Sequence, residues 1–262
     1  MDTSIDVVRD FWDARPCNLR HSPSPVGTRQ YFDEVEARKY FVEPHIPGFA
    51  EFAAWGGRRV LEIGCGIGTD AVNFARQGAG YTGLELSGES LRLARQRFEV
   101  YGLRGEFYQG NAEDLATLIP VQTFDLVYSF GVIHHTPHPE KIVASVKPYL
   151  GPSSEFRLML YARHSWKAYL IEAGLEQPEA QSGCPIALTY SPEEIRALLQ
   201  DFEILEMRQA HIFPYVIEKY IRYEYEILPW FRAMPKALFE TLESRLGWHT
   251  LIRCRLKTPA SG

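Results

Sequence analysis

Residues 58–70 constrain the fold more than any other part of this 262-residue chain. Arg-Arg-Val-Leu-Glu-Ile, a short apolar run, enters Gly64, Gly66 and Gly68, and a helical pattern opens at Asp70. A strand that breaks on closely spaced glycines into a helix is half of a βαβ unit. The glycines let the backbone turn sharply and bring its N–H groups against a ligand with no Cβ in the way. The alternation continues downstream. Residues 80–86, 105–109, 124–129 and 155–161 read as strands and 70–77, 89–101 and 139–150 as helices, which predicts crossover units and a mostly parallel sheet. Ser191-Pro192-Glu193-Glu194 is a helix start: Ser as N-cap, Pro at the first helical position, acids in the first turn. It predicts a helix to about residue 200, then strands over 202–208 and 248–256.

Residues 1–57 read as helices and a Pro-rich loop over 21–27, a cap on the sheet and not a second domain. Residues 58–262 form the core, with cap insertions over 162–190 and 211–247, so one structural domain is expected. The second insertion is the densest aromatic stretch of the chain, with Phe213, Tyr215, Tyr220, Tyr223, Tyr225, Trp230 and Phe231. The net charge of −5 supplies no global positive field, which makes nucleic acid a poor substrate. Cys17, Cys65, Cys184 and Cys254 are scattered without a CxxC pair and read as reduced thiols, so the cytoplasm is the expected compartment. Residues 1–13 carry Asp2, Asp6, Asp10 and Asp13 and no export signal, and no apolar run of about 18 residues predicts a membrane span.

A glycine turn of this kind fits nicotinamide, flavin and S-adenosylmethionine sites alike. Three features separate them. The glycines fall as G-x-G-x-G, so Gly68 comes one place early for a nicotinamide fingerprint. Glu62 stands just before the first glycine, where it would repel a pyrophosphate but suits a cationic ligand. Glu85 ends the second strand, where a carboxylate can accept both hydroxyls of a ribose; that feature would serve a nicotinamide cofactor as well.

Four ordered motifs then bring in a family. Val60-Leu61-Glu62-Ile63-Gly64-Cys65-Gly66-Ile67-Gly68, Leu84-Glu85-Leu86-Ser87, Gly110-Asn111-Ala112-Glu113-Asp114-Leu115 and the segment Phe124–His135 that starts with the fourth strand resemble the motifs of the class I S-adenosylmethionine-dependent methyltransferases, in particular their small-molecule branch. The resemblance covers roughly residues 58–161. It implies a Rossmann-like methyltransferase fold: α/β, doubly wound, a mostly parallel seven-stranded sheet with a helical N-terminal cap and an aromatic-rich insertion near the C-terminus. It implies S-adenosylmethionine as cofactor and S-adenosylhomocysteine as product. The implied cofactor set is Glu62, Gly64, Cys65, Gly66, Gly68, Thr69 and Asp70 around the turn, with Glu85 on the ribose and Leu86 on the adenine. Asn111 and the Ala112 backbone read the adenine edge, Glu113 beside them belongs to the same cofactor set, and the Ser129 carbonyl meets the methionine ammonium. Asn111 departs from the family's usual aspartate, a mild change because its carbonyl also accepts.

The acceptor pocket is expected beyond strands four and five and under the cap. His134 is the first candidate for a general base, before Tyr161. Arg15, Arg20, His21 and Arg29 near the N-terminus make an anionic acceptor one option, and the aromatic insertion makes an apolar part another. Arg15, Arg29, Tyr31, Tyr40, His135, Tyr215 and Tyr223 are the candidate acceptor contacts. A metal is not expected: His134 and His135 are adjacent and point apart in extended chain, and no H-E-x-x-H pattern occurs. The expected function is methyl transfer to oxygen, nitrogen or carbon of a small metabolite or natural-product intermediate, with no membrane partner. An RNA or protein methyltransferase and a non-catalytic S-adenosylmethionine-binding module are the alternatives.

Overall fold

A computed structural model describes residues 3–176 and 183–257. Its strands are β1 Arg59–Ile63, β2 Gly80–Glu85, β3 Glu106–Gln109, β4 Phe124–Phe130, β5 Leu150–Ala162, β6 Thr189–Tyr190, β7 Phe202–Ala210 and β8 His249–Leu256. The helices are α1 Ile5–Ala14, α2 Arg29–Val42, α3 His45–Ala50, α4 Thr69–Arg76, α5 Gly88–Tyr101, α6 Leu115–Leu118, α7 Pro139–Val146, α8 Trp166–Glu172, α9 Pro192–Leu198, α10 Ile217–Tyr220, α11 Pro229–Ala233 and α12 Lys236–Leu246.

The sheet runs in the order β3-β2-β1-β4-β5-β8-β7, with the two-residue β6 beside β5. β1 to β5 pair in parallel, and β8 enters antiparallel between β5 and β7. The expected doubly wound sheet is therefore present, with β6 as an eighth strand. Order reverses between β1 and β4, the crevice where open α/β sheets bind ligands.

Period-two alternation sorts the strand residues onto two cores. Leu61, Ile63, Val127, Phe156 and Leu158 pack with Ile142, Val143 and Val146 of α7 and Ile195 of α9. Val60, Tyr81, Leu126, Tyr128 and Met159 pack on the other face with Ala71, Val72 and Phe74 of α4 and Leu91, Ala94 and Phe98 of α5. A third cluster joins Tyr31, Phe32 and Val35 of α2 to Ile67 in the glycine turn and Leu93 of α5. The N-terminal segment is thus packed on the core.

Several local expectations shift. The helix expected over 139–150 stops at Val146, because Pro148 admits only the short 3-10 turn Lys147–Tyr149. β5 then starts at Leu150 and reaches its pairing with β4 through an irregularity between Phe124 and Leu126. The α9 start forms a full capping box, Ser191 accepting from the Glu194 N–H while Glu194 accepts from the Ser191 N–H. The expected insertion over 162–190 carries α8 and β6; its residues 177–182 lie outside the described residues, as do Met1, Asp2 and 258–262. Residues 211–247 form three short helices. Arg38 of α2 pins the first of them: its guanidinium lies 4.0 Å from the Tyr220 ring centroid and 4.4 Å from that of Tyr223, and donates to the Tyr220 carbonyl at 2.6 Å.

Among the described residues no helix is long and apolar enough to cross a membrane.

Candidate active site

A cavity of about 690 Å³ opens at the carboxyl ends of β1, β2, β4 and β5, within the size range of small-ligand sites. At one end the backbone builds the wall. Gly64 sits at φ +74°, and a Cβ there would fall 2.2 Å from the Val132 side chain. Gly66, at φ +53°, turns its N–H onto Glu85 Oε2 at 2.8 Å, and the Ser87 N–H donates to Oε1 at 2.9 Å. Burial lifts the Glu85 pKa, with the Ser87 and Gly66 N–H groups pulling against it. An ionised carboxylate has about four lone-pair sites. Two are used by the backbone, and Glu85 itself lines the cavity, so the acid is oriented and still able to accept.

Next to it lies a second acidic group. Glu62 is buried, lines the cavity, and accepts from the Tyr81 hydroxyl at 2.6 Å. Burial and the neighbouring Asp70 push its pKa up to about 8. Asp70 accepts from Lys39 Nζ at 2.8 Å, from the Tyr40 hydroxyl at 2.9 Å and from the Tyr128 hydroxyl at 3.1 Å. Burial works against the charge on Lys39, but Asp70 and then Glu43 carry its pKa above the ordinary value. Asp70 is thereby paired within the protein, whereas Glu62 has a phenol as its hydrogen-bond partner and feels Lys39 only through its charge. A cationic group placed there would restore its negative charge.

The remaining turn residues divide. Cys65, Thr69, Leu86, Asn111 and Ala112 line the cavity; Gly68, Glu113 and Ser129 do not. Gly68 packs behind, where a Cβ would come 3.2 Å from Ala94 of α5. Glu113 accepts from the Thr136 hydroxyl at 2.6 Å. The Asn111 carbonyl already accepts from the Glu113 N–H at 3.1 Å, capping the turn that presents Ala112. On the β4 side the wall is made by Phe130 and Gly131, one and two residues past Ser129.

The other end of the cavity is made of side chains from distant segments. Helix α1 runs along the cavity from Ile5, beside Leu86 and Asn111, to Trp12, whose ring is 5.4 Å from that of His135; it is tied down where Asp13 accepts from the Ser87 hydroxyl at 2.8 Å and the Glu89 N–H at 3.2 Å. Tyr161 lines this end, stacked on Trp248 at 4.3 Å between centroids. His134 does not. It is fully buried, its ring 3.7 Å from that of Tyr161, and burial holds its pKa well below normal. His134 and His135 lie in the 3-10 turn Ile133–His135, not in extended chain, and it is His135 that reaches the cavity. Its Nδ1 is 2.5 Å from the Ile186 carbonyl. A carbonyl only accepts, so Nδ1 carries the proton and Nε2 the lone pair of the neutral ring.

The arginine expectation is not met. Arg15 and Arg29 are exposed and off the cavity wall; Arg15 packs over Phe11 and Arg29 over Tyr101. Tyr31 is a core residue that donates to the Leu19 carbonyl, and Tyr40 is spent on Asp70. Tyr215 stacks with Phe41, and Tyr223 donates to the Arg20 carbonyl; neither lines the cavity. Sequence reasoning missed Lys39, Trp12, Met159, Trp166, Leu170 and Trp248 on the wall. Only the spacing of Ile5, Val8 and Trp12 on one helical face carried a signal.

A histidine group closes this end. His45 Nε2 and His249 Nδ1 are 3.0 Å apart, and the His211 ring stacks on His249 at 4.5 Å. Burial pushes His45 down to about 3 and holds His211 and His249 well below normal, so all three are neutral near pH 7.

Residues 60–153 match the family model described as a methyltransferase domain. Among curated proteins, the chain is 31% identical over 168 residues to the fatty-acid O-methyltransferase of Mycolicibacterium smegmatis, covering 63% of this chain and 59% of that protein. It is 32% identical over 118 residues to the ubiquinone biosynthesis O-methyltransferase of Actinobacillus pleuropneumoniae, covering 44% and 50%. Residues 60–153 are thus a methyltransferase domain. The matched stretch spans between half and three-fifths of these relatives' lengths. Solved structures agree on architecture. Magnesium protoporphyrin IX methyltransferase from Synechocystis PCC 6803 with bound SAH superposes with TM-score 0.64 at 16% identity, covering 97% of this chain and 100% of that one. The cyclase SpnF superposes at 0.62 with 18% identity, covering 98% of both. At such identities the likeness shows the fold alone, and a fold hosts more than one chemistry.

Proposed function

We propose that this chain is an S-adenosylmethionine-dependent methyltransferase acting on an oxygen of a small acceptor with a largely apolar body. The observation that carries the cofactor reading is Glu85, a buried carboxylate aimed by two N–H groups at the cavity beside a glycine turn. A ribose diol fits its remaining acceptor positions. Glu62, buried with no cation bonded to it, suits the ammonium and sulfonium of the methionine part, and an anionic pyrophosphate would meet two acids there. Leu86, Asn111 and Ala112 would flank the adenine, as proposed for the family motif.

When bound, S-adenosylmethionine supplies an electrophilic methyl carbon. The protein's share is alignment, dryness and a place for a proton. Trp12, Phe130, Met159, Tyr161 and Trp248 give the acceptor end an apolar wall that excludes water. His135, with its tautomer fixed by the Ile186 carbonyl, is the group suited to take a hydroxyl proton at Nε2. The charged residues on the wall are Lys39 and Lys167 against Glu43, Glu62, Asp70, Glu85 and Glu176. That excess of acids favours an uncharged acceptor over an anion or nucleic acid. The names of the curated relatives, both O-methyltransferases, support oxygen over nitrogen or carbon. The cytoplasm is the proposed compartment, in keeping with four cysteines and no disulfide among them.

Calorimetric titration tests the cofactor half: S-adenosylhomocysteine is expected to bind, and uptake of NAD in its place would discard the reading. Labelled S-adenosylmethionine incubated with metabolite extracts tests the transfer. Label in an apolar, alkali-sensitive or ether-stable small molecule supports an oxygen acceptor; label only in RNA or protein rejects it.

A further inference from the structure

The histidine group beyond the cofactor turn is not used by the proposed transfer. We propose that Glu43, His45 and His249 form a binding site for a divalent transition-metal ion, with an open coordination position facing the cavity.

The three residues come from separate elements. Glu43 caps the end of α2, His45 opens α3, and His249 opens β8. One donor atom from each lies within 4.8 Å of the others. His45 Nε2 and His249 Nδ1 are 3.0 Å apart, and Glu43 Oε1 is 3.7 Å from His249 Nδ1. Two ligand atoms each about 2.1 Å from one ion stand about 3.0 Å apart in octahedral geometry and about 3.4 Å apart in tetrahedral geometry. The histidine spacing matches such an ion, and Glu43 would have to close in on His249 by a few tenths of an ångström. Two imidazoles and one carboxylate suit zinc, iron, cobalt, nickel or manganese; magnesium and calcium prefer oxygen ligands throughout.

Two further observations point the same way. His211 holds the left-handed conformation, φ +75°, and that strained backbone lays its ring on His249, fixing the orientation of the proposed ligand. Glu43 and His249 also line the cavity, next to Phe130 and Trp248, while three ligands leave positions unfilled. An ion there would offer its open position to an oxygen of whatever occupies the acceptor end. That role rests on the methyltransferase reading; ion binding itself does not.

Without an ion the same side chains form a hydrogen-bonded histidine pair beside a glutamate, and metal titration separates the two. Tag-free full chain, stripped with chelator, is titrated with Co²⁺ and followed by visible ligand-field absorption. A single Co²⁺ per chain is expected. His45→Gln and Glu43→Gln are expected to weaken its binding by about 10- to 100-fold or more, with circular dichroism checking that each variant folds. His249→Gln, in the buried strand, serves as a third variant. S-adenosylhomocysteine is titrated separately into the same proteins. Absence of its binding with Co²⁺ binding intact would sink the methyltransferase reading and leave the metal site standing. No Co²⁺ uptake by the wild type, or equal uptake by wild type and folded variants, overturns the metal site and leaves the histidine pair.

Discussion

The two ends of the cavity are built by opposite strategies. At the cofactor end, backbone N–H groups and buried acids from strand tips between residues 62 and 112 set the geometry. At the acceptor end, Trp12 and side chains from β5, α8, the stretch after β7 and β8 meet with little help from the backbone. The first arrangement leaves few positions open to change, because each glycine and acid answers a neighbour. The second can be recut one side chain at a time. Specificity can therefore drift in this fold while the cofactor grip stays put.

The contrast is broken most severely at Gly64. Gly64→Val would force a side chain into the left-handed region, about 1–2 kcal/mol, and press it into Val132, about 1–3 kcal/mol. A lower urea midpoint and loss of S-adenosylhomocysteine binding are expected; a tolerant Gly64→Val would mean that the turn is not built by the backbone. Glu85→Ala comes next. Losing charge-assisted hydrogen bonds is expected to weaken cofactor binding by about 1.5–3 kcal/mol, a tenfold to more than hundredfold rise in Kd by calorimetry. An unchanged Kd would show the ribose to be held elsewhere.

Glu62 gives a pH signature. Its pKa near 8 means that the ligand-free carboxyl holds its proton at pH 7. A cation binds the ionised form better, so binding lowers the pKa and releases a proton. Affinity should then rise with pH up to about 8, by at most about tenfold per unit. Calorimetry in two buffers of different ionisation heat reads the proton directly, and Glu62→Gln should abolish the release. For stability the sign is the reverse of the usual carboxylate. The folded protein binds more protons than the unfolded one between about 4.3 and 8, so Glu62 costs stability as pH rises through that window.

Leu170→Ala probes the other end. Trimming a half-buried wall residue is expected to raise the acceptor KM by up to about tenfold through lost apolar contact, with cofactor Kd unchanged; equal changes in both would mean that the ends are not separable. Arg29→Ala should do least, within about 0.5 kcal/mol of stability and no change in either constant. A selective rise in acceptor KM would bring back the anion-binding expectation.

The same division explains what the sequence disclosed. The cofactor end is local: Glu62, the three glycines, Glu85 and Asn111 are each readable from neighbours a few residues away, and the strands carrying them were placed within a few residues of their ends. His134 was preferred over His135 because a sequence does not show which of two adjacent rings turns inward; a 3-10 turn decided it. Arg29 and Tyr40 drew attention by chemical type, but packing on Tyr101 and bonding to Asp70 occupied them. Lys39, Leu170 and Trp248 were unreadable for a different reason. They meet only through contacts across the whole chain, and no spacing records that. The histidine group, joined from residues 45, 211 and 249, belongs to the same class.

The antiparallel strand β8 has a consequence for synthesis. It is made after β7 yet lies inside it, between β5 and β7. A nascent chain halted before Trp248 would already own the glycine turn and its buried acids, but it would lack the floor of the opposite compartment and leave the rim of β5 unpaired, a surface open to intermolecular strand addition. The ribosome must finish this insertion before that end of the cavity has a wall.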